Sequence, residues 1–240
     1  MKGFLLAAGN GTRLRPLTNQ IPKCLVPIQG TPLLGIWLDW CCLYGIDQVL
    51  INTHAHRAAV REYIQNYKGP VHVTLTEEPQ LLGSAGTLYL NRHFVTGEPE
   101  FAVMYADVLT NCRLDLMLEL HRRMASPLTL GTYAVPNPTQ CGIVVTDEEG
   151  KVIDFTEKPA QPRANTAFSG VMIAGPAVLA SLPATQPADI GFDLLPRFVN
   201  RMYAMPGQDY VLDIGTIEKY QQAQREWPGL QPASVQLASR

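Results

Sequence analysis

Cysteine is present without any of the patterns that give it a structural task. Cys24, Cys41, Cys42, Cys112 and Cys141 are odd in number and contain no C-x-x-C pair. That excludes a disulfide framework and a zinc site as organising features. Unpaired thiols fit a reducing compartment, so the expected location is cytoplasmic. Charge is also scarce: 17% of residues are charged, and 19 basic against 21 acidic residues leave a formal net charge of -2. No long run of like charge occurs, and the balance offers no footing for nucleic acid. Long apolar runs are missing too. The stretch Phe4–Ala8 is far too short for a membrane span or a signal-peptide core. No internal repeat, low-complexity segment or hexapeptide repeat is found, which leaves a homo-oligomer only as an open expectation.

What remains is a chain of 240 residues, 46% of them hydrophobic. That suits one large α/β domain with a sizeable core. Lys2–Ala8 reads as a buried strand stopped by Gly9-Asn10-Gly11. After Pro32 an apolar helix face carries Leu33, Leu34, Trp37, Leu38, Cys41 and Leu43, ended by Gly45. Cys41-Cys42 on that face read as core. Strands at Gln48–Asn52, Val71–Thr76 and Phe101–Tyr105 alternate with helices at Ala58–Asn66 and Gly86–Asn91. This rhythm predicts a mostly parallel, Rossmann-like sheet with helices on both faces. The second half reads differently. Strands at Leu128–Ala134, Gly142–Thr146, Val152–Thr156 and Gly170–Ala174, with a tight turn at Asp147–Gly150, predict a small antiparallel portion. The expected division is one domain over 1–222, with halves 1–125 and 126–222, and a frayed tail over 223–240.

The most informative segment runs from Leu6 to Pro27. A strand opens into a glycine turn, where Gly9 and Gly11 let the backbone approach a ligand closely. The N–H groups of such a turn form a nest for phosphate oxygens. Arg13 adds a fork of donors, and Lys23 supplies a second cation ten residues on. A dinucleotide-binding turn needs a third glycine where this chain has Leu14, and no Walker A order is present. Asp107 follows an apolar strand, at the carboxyl end where open α/β sheets bind ligands. His54 and His56 lack the further ligands a metal site needs.

Ala8-Gly9-Asn10-Gly11-Thr12-Arg13-Leu14-Arg15-Pro16-Leu17-Thr18, followed by Pro22-Lys23-Cys24, closely resembles the signature of the sugar-phosphate nucleotidyltransferases. Cys24 stands where a proline is commoner. Further segments extend the resemblance over nearly the whole chain. They are Glu78-Pro79 with Leu82–Thr87, Tyr105-Ala106-Asp107 in place of Asn-Gly-Asp, Phe155–Pro159, Asn165–Gly170, Phe192–Pro196 and Leu212–Thr216. The resemblance implies a nucleotide site at Ala7, Ala8, Gly9, Asn10, Gly11, Thr12, Arg13, Lys23, Gln80, Gly86 and Asp107. Arg13, Lys23 and Asp107 are implied to be catalytic, and Gly142, Glu157, Lys158 and Asn165 to hold the sugar phosphate. Asp107 and Asp213 are implied to bind Mg2+, and Phe192–Pro196 to be architectural. Thr216 is a candidate helix cap.

The implied reaction condenses a nucleoside triphosphate with a sugar 1-phosphate, best matched by GTP with mannose or heptose 1-phosphate. UTP, dTTP or CTP with another sugar, or with phosphocholine, are alternatives. So is a non-catalytic sugar-nucleotide-binding protein, to which Ala106 and Cys24 lend their only support. A nicotinamide dehydrogenase is disfavoured by Leu14.

Overall fold

The computed structural model describes residues 1–207 and 210–232. The elements are β1 (Lys2–Leu6), α1 (Leu33–Leu43), β2 (Gln48–Thr53), α2 (Arg57–Asn66), β3 (His72–Glu77) and α3 (Ser84–Leu90). They continue with β4 (Phe101–Tyr105), β5 (Val108–Thr110), α4 (Leu114–Arg123), β6 (Leu128–Ala134), β7 (Gly142–Thr146) and β8 (Val152–Glu157). Last come β9 (Thr166–Ala174), α5 (Pro176–Ser181), β10 (Tyr203–Pro206), β11 (Val211–Asp213) and α6 (Ile217–Glu226). The fold is mixed α/β, with a mostly parallel central sheet and small antiparallel sheets. No helix among the described residues is long and apolar enough to cross a membrane.

Two compact units emerge, one of Met1–Leu81, Met104–Cys112 and Tyr210–Arg240, the other of Leu82–Val103 and Arg113–Asp209. In the first unit β1, β2 and β3 run parallel, with Phe4 opposite Leu50 and Leu50 opposite Thr74. Phe4, Leu5, Val49, Leu50 and Ile51 are buried, as parallel strands covered on both faces require. β1 ends two residues earlier than expected, because the Ala7 N–H turns to the Asn52 side chain.

α1 stops as Gly45 predicts. Gly45 adopts φ +70°, Ile46 N–H donates to Cys41 O at 2.8 Å, and Gly45 N–H donates to Cys42 O at 3.2 Å. Cys42 and Leu43 are exposed, against expectation. Neighbouring helical residues point about 100° apart, so they leave the face that buries Cys41. Trp37 and Trp40 use the buried face to grip the chain beyond Asp107. Their indole N–H groups donate to Val108 O at 2.9 Å and Cys112 O at 3.0 Å.

α6 opens on Thr216, whose Oγ1 accepts the Lys219 N–H at 3.3 Å. It crosses the expected boundary at 222 and runs to Glu226, with Ala223 and Trp227 buried. Gln29 then ties its end, donating from its side chain to Trp227 O at 3.1 Å. The part of the expected tail from 233 lies outside the described residues.

The second unit is built on antiparallel pairs. Val144 faces Phe155 in the β7–β8 hairpin, and Met172 faces Leu130 between β9 and β6. β10 joins β6 in parallel. Asp147 makes the hairpin turn by accepting N–H groups of Glu149 at 3.0 Å and Lys151 at 2.8 Å. β9 begins at Thr166, four residues before the expected start. Its register shifts between Phe168 and Met172 around Gly170, at φ +81°.

Candidate active site

In the first unit the chain leaving β1 is fixed by a relay of amides. Ala7 N–H donates to Asn52 Oδ1 at 2.7 Å, and Asn52 Nδ2 donates to Glu78 Oε1 at 2.8 Å. The loop then turns through Gly11 at φ +62°, whose carbonyl accepts from Thr18 Oγ1 at 2.7 Å and from Leu14 N–H at 3.0 Å. A Cβ on Gly11 would lie 3.1 Å from Thr18 Cγ2 and 3.2 Å from Lys23 Cβ. Conformation and space both demand glycine there. A Cβ on Gly9 would meet no protein atom within 4 Å. Among the described residues, the N–H groups of Gly9, Asn10 and Gly11 have no protein acceptor. Together with the exposed Asn10, Thr12 and Arg13, they are suited to phosphate oxygens.

Two carboxylates are brought to this loop by backbone pairing. Ala106 N–H donates to Leu6 O at 3.0 Å, and the alanine is only 1% exposed. Its methyl therefore points into the core, and a glycine is not needed. Across the β5–β11 ladder Asp213 pairs with Val108, and Ile214 N–H donates to Asp107 O at 2.9 Å. The Asp107 and Asp213 side chains consequently converge on Lys23. Its Nζ lies 3.0 Å from Asp107 Oδ2 and 3.3 Å from Asp213 Oδ1. Lys23 is 8% exposed, while the Asp107 and Asp213 side chains keep 47% and 34% of their surface. The result is a cation seat whose acids still reach solvent.

More positive charge surrounds Asp213. Lys219 Nζ lies 3.7 Å from Asp213 Oδ2. A Cβ on Gly215 would be 3.2 Å from Arg13 Nη2 and 2.8 Å from Asp213 Oδ2. Arg13 and Asp213 thus press on the same bare glycine.

The second unit gathers a separate set. Glu157 ends β8 opposite Gly142, and Lys158 N–H donates to Cys141 O at 2.9 Å. A Cβ on Gly142 would come within 2.5 Å of Glu157 Oε2 and 2.8 Å of Phe155 Cζ. Gly191 is pressed equally hard against the same carboxylate. Glu157 therefore lies between two glycines, with Lys158 Nζ 3.9 Å away. Burial pushes its carboxyl above the usual range; Lys158 opposes that and Asp189 reinforces it. Asn165 is exposed, and its carbonyl accepts the Val135 N–H at 2.8 Å. Gly86 instead gives its N–H to Ala188 O at 3.2 Å, with its Cα face closed by Gln186 and Leu82. Gln80 belongs to the first unit and is exposed.

The family model described as nucleotidyl transferase matches residues 2–228. The chain belongs to this family. It is 32% identical over 243 residues to the UTP–glucose-1-phosphate uridylyltransferase of Synechocystis sp., across 94% of this chain and 63% of that protein. It is 30% identical over 228 residues to mannose-1-phosphate guanylyltransferase 1 of Arabidopsis thaliana, across 92% of this chain and 63% of that protein. The crystal structure of HddC from Yersinia pseudotuberculosis complexed with GMP-PN gives a TM-score of 0.78 at 22% identity, covering 94% and 99% of the two chains. That last likeness is one of fold. The chain spans about 63% of the length of the first two relatives.

Three residues of this chain escape a reading of its sequence. Lys219 sits in the first turn of α6, where the helix dipole disfavours a cation. That unfavourable position, six residues after Asp213, is the available signal. Gly83 and Gly191 carry none, because their neighbours come from distant parts of the chain.

Glu157 also permits a test of its own. A carboxyl raised by burial is one whose charged form costs folding free energy. The cost is present above its folded pKa and disappears as pH falls through the ordinary carboxylate range. Glu157→Gln is expected to raise Tm near neutral pH, with the gain vanishing at about pH 4. Thermal melts at both pH values decide it. No gain at neutral pH would mean the carboxylate is well solvated.

Proposed function

We propose that this protein transfers a nucleoside monophosphate unit from a nucleoside triphosphate to a sugar 1-phosphate, releasing pyrophosphate. The observation that carries the proposal is the meeting of Lys23, Asp107 and Asp213, with contacts of 3.0 and 3.3 Å, beside a glycine loop with unspent N–H donors. The acceptor needs no general base, since the second pKa of a phosphate monoester is about 6. One of its oxygens attacks the α-phosphorus. The bond from that phosphorus to the β-bridging oxygen breaks, and pyrophosphate leaves with the electron pair. What the protein must supply is positioning and neutralised charge.

The loop from Ala7 to Thr12 and Arg13 would hold the triphosphate and the departing pyrophosphate. Lys23 would sit at the reacting α-phosphate. Glu157 would take sugar hydroxyls and Lys158 the sugar phosphate. Asp107 and Asp213 fit Mg2+, because two carboxylates plus substrate oxygens and water suffice for that ion. No group of three or more metal-ligating side chains occurs among the described residues, so substrate oxygens would complete the shell. When bound, the ion would screen phosphate charge as a Lewis acid.

GTP with mannose or heptose 1-phosphate is the favoured pair, its mannose form supported by the Arabidopsis relative's name. UTP with glucose 1-phosphate is the second reading, supported by the Synechocystis relative. The non-catalytic alternative loses its main support, since Ala106 is buried. The cytoplasm fits the thiols. Burial pushes that of Cys24 up to about 12 and that of Cys41 well above its ordinary range, so neither is poised to react.

Pyrophosphate release is the test. GTP, UTP, dTTP, CTP and ATP are each offered with Mg2+ and a panel of sugar 1-phosphates, plus phosphocholine. One nucleotide–sugar pair is expected to stand out. Silence across the panel, with nucleotide still bound, would overturn the assignment.

A further inference from the structure

Among the described residues, Phe192 is the most exposed large hydrophobic side chain, at 58%. Its backbone is the opposite of loose. It sits in the wide helical turn Ile190–Leu194, a type that recurs at functional sites. Asp189 Oδ1 accepts the N–H groups of Gly191 at 2.7 Å and Phe192 at 3.2 Å, while Asp193 Oδ2 accepts the Asp189 N–H at 2.7 Å. Ser84 locks the start of the turn. Its Oγ donates to Asp189 Oδ2 at 2.9 Å and accepts the Ile190 N–H at 2.7 Å. An apolar ring held out in water on a fixed backbone gains nothing for folding.

Its surroundings supply a use. Lys158 Nζ stands 5.9 Å from the ring centroid, within cation–π range. One residue back along the same turn, Gly191 lies against the Glu157 carboxylate. The turn thus presents an aromatic face beside both groups that would take the acceptor's phosphate and hydroxyls.

We propose that Phe192 is a specificity-determining residue, an aromatic platform on which the C–H face of the acceptor's pyranose ring stacks. The electron-rich face of the phenyl ring attracts the weakly positive C–H edges that one side of a pyranose offers. Lys158 fixes the phosphate end and Glu157 the hydroxyls, so the ring selects for a cyclic acceptor. This rests on the sugar 1-phosphate reading above.

The test is calorimetric binding of mannose 1-phosphate, glucose 1-phosphate, inorganic phosphate and GTP to the wild-type protein, Phe192→Ala and Phe192→Tyr. Phe192→Ala is expected to weaken both sugar phosphates about tenfold. It should leave inorganic phosphate and GTP unchanged, and Phe192→Tyr should retain wild-type affinity. An equal loss for inorganic phosphate would overturn the platform, since the ring would then only steady Lys158. Undiminished sugar-phosphate binding would overturn it as well. Because binding is read directly, a wild-type protein that binds sugar phosphates yet releases no pyrophosphate would sink the proposed reaction while still deciding the role of Phe192.

Discussion

Lys23→Ala is expected to lower turnover by roughly a hundredfold to a thousandfold, the usual loss when a preorganised charge at a reacting centre is removed. The chain should nevertheless fold. Lys23 is 8% exposed, and its ammonium is fixed by Asp107 at 3.0 Å and Asp213 at 3.3 Å. Without it the two carboxylates lose a shared partner, but they keep 47% and 34% of their surface in solvent, and Lys219 remains 3.7 Å from Asp213. For acids so well screened the folding cost is about 1 kcal/mol or less.

The reverse change behaves differently. Asp107→Asn with Asp213→Asn strands a buried ammonium, at a cost approaching about 3 kcal/mol once solvent access is allowed for. Lys23→Arg should not rescue turnover, because a planar fork does not fit a seat shaped for a compact charge. Measuring kcat for pyrophosphate release beside a thermal melt separates the cases. Should Lys23→Ala raise only the nucleotide KM, the lysine does not act at the reacting phosphate.

The parts of this arrangement visible in the sequence are those written locally. The apolar run before Gly9 announces a buried strand, Gly45 the end of α1, and Asp147–Gly150 a hairpin turn. Each is a contact between near neighbours. α4 has no such announcement. Arg113 gives it no side-chain cap, and its buried face carries Asp115 and His121. Those polar groups are tolerated only because Arg113 Nε donates to Asp115 at 2.8 Å and Thr129 lies 2.9 Å from His121 Nδ1. Apolar periodicity fails as a guide wherever such pairs replace apolar side chains.

Of the candidate site, the identity of the charged residues was legible from the resemblance, but their geometry was not. Asp107 and Asp213 meet through a three-residue ladder between segments a hundred residues apart, and no local pattern encodes that register. Phe192 illustrates the converse. Its motif reads as architecture, and only the capped wide turn reveals a ring in solvent.

Gly83→Ala is expected to destabilise the protein far more than Gly86→Ala, although only Gly86 stands out in the sequence. Gly83 adopts φ +75°, where an alanine costs about 1 kcal/mol or more. Its added Cβ would run into the carbonyl oxygen of Ala188, with Ala188 C at 2.8 Å and N at 2.9 Å. These are backbone atoms and have no rotamer to adopt. They are also employed. Ala188 O accepts the N–H groups of Ala85 at 3.0 Å and Gly86 at 3.2 Å, and Ala188 N–H donates to Leu82 O at 2.9 Å. Relieving the clash means breaking part of that set, at about 1–3 kcal/mol for each buried group left unpaired. A total near 4 kcal/mol lowers Tm by about 10 °C in a chain of this size. It would also shift the turn that holds Asp189 and Phe192. Gly86 has an ordinary φ, and its Cβ would meet Gln186 Cγ and Leu82 Cβ, both at 3.2 Å. Side-chain atoms can yield, and alanine gains about 1 kcal/mol of helix propensity over glycine. Gly86→Ala should therefore move Tm by a few degrees at most. Thermal melts of the two variants decide the order. If Gly86→Ala proves as stable as expected yet loses nucleotide affinity, that glycine faces a ligand, and the expectation drawn from its sequence context stands beside its packing role.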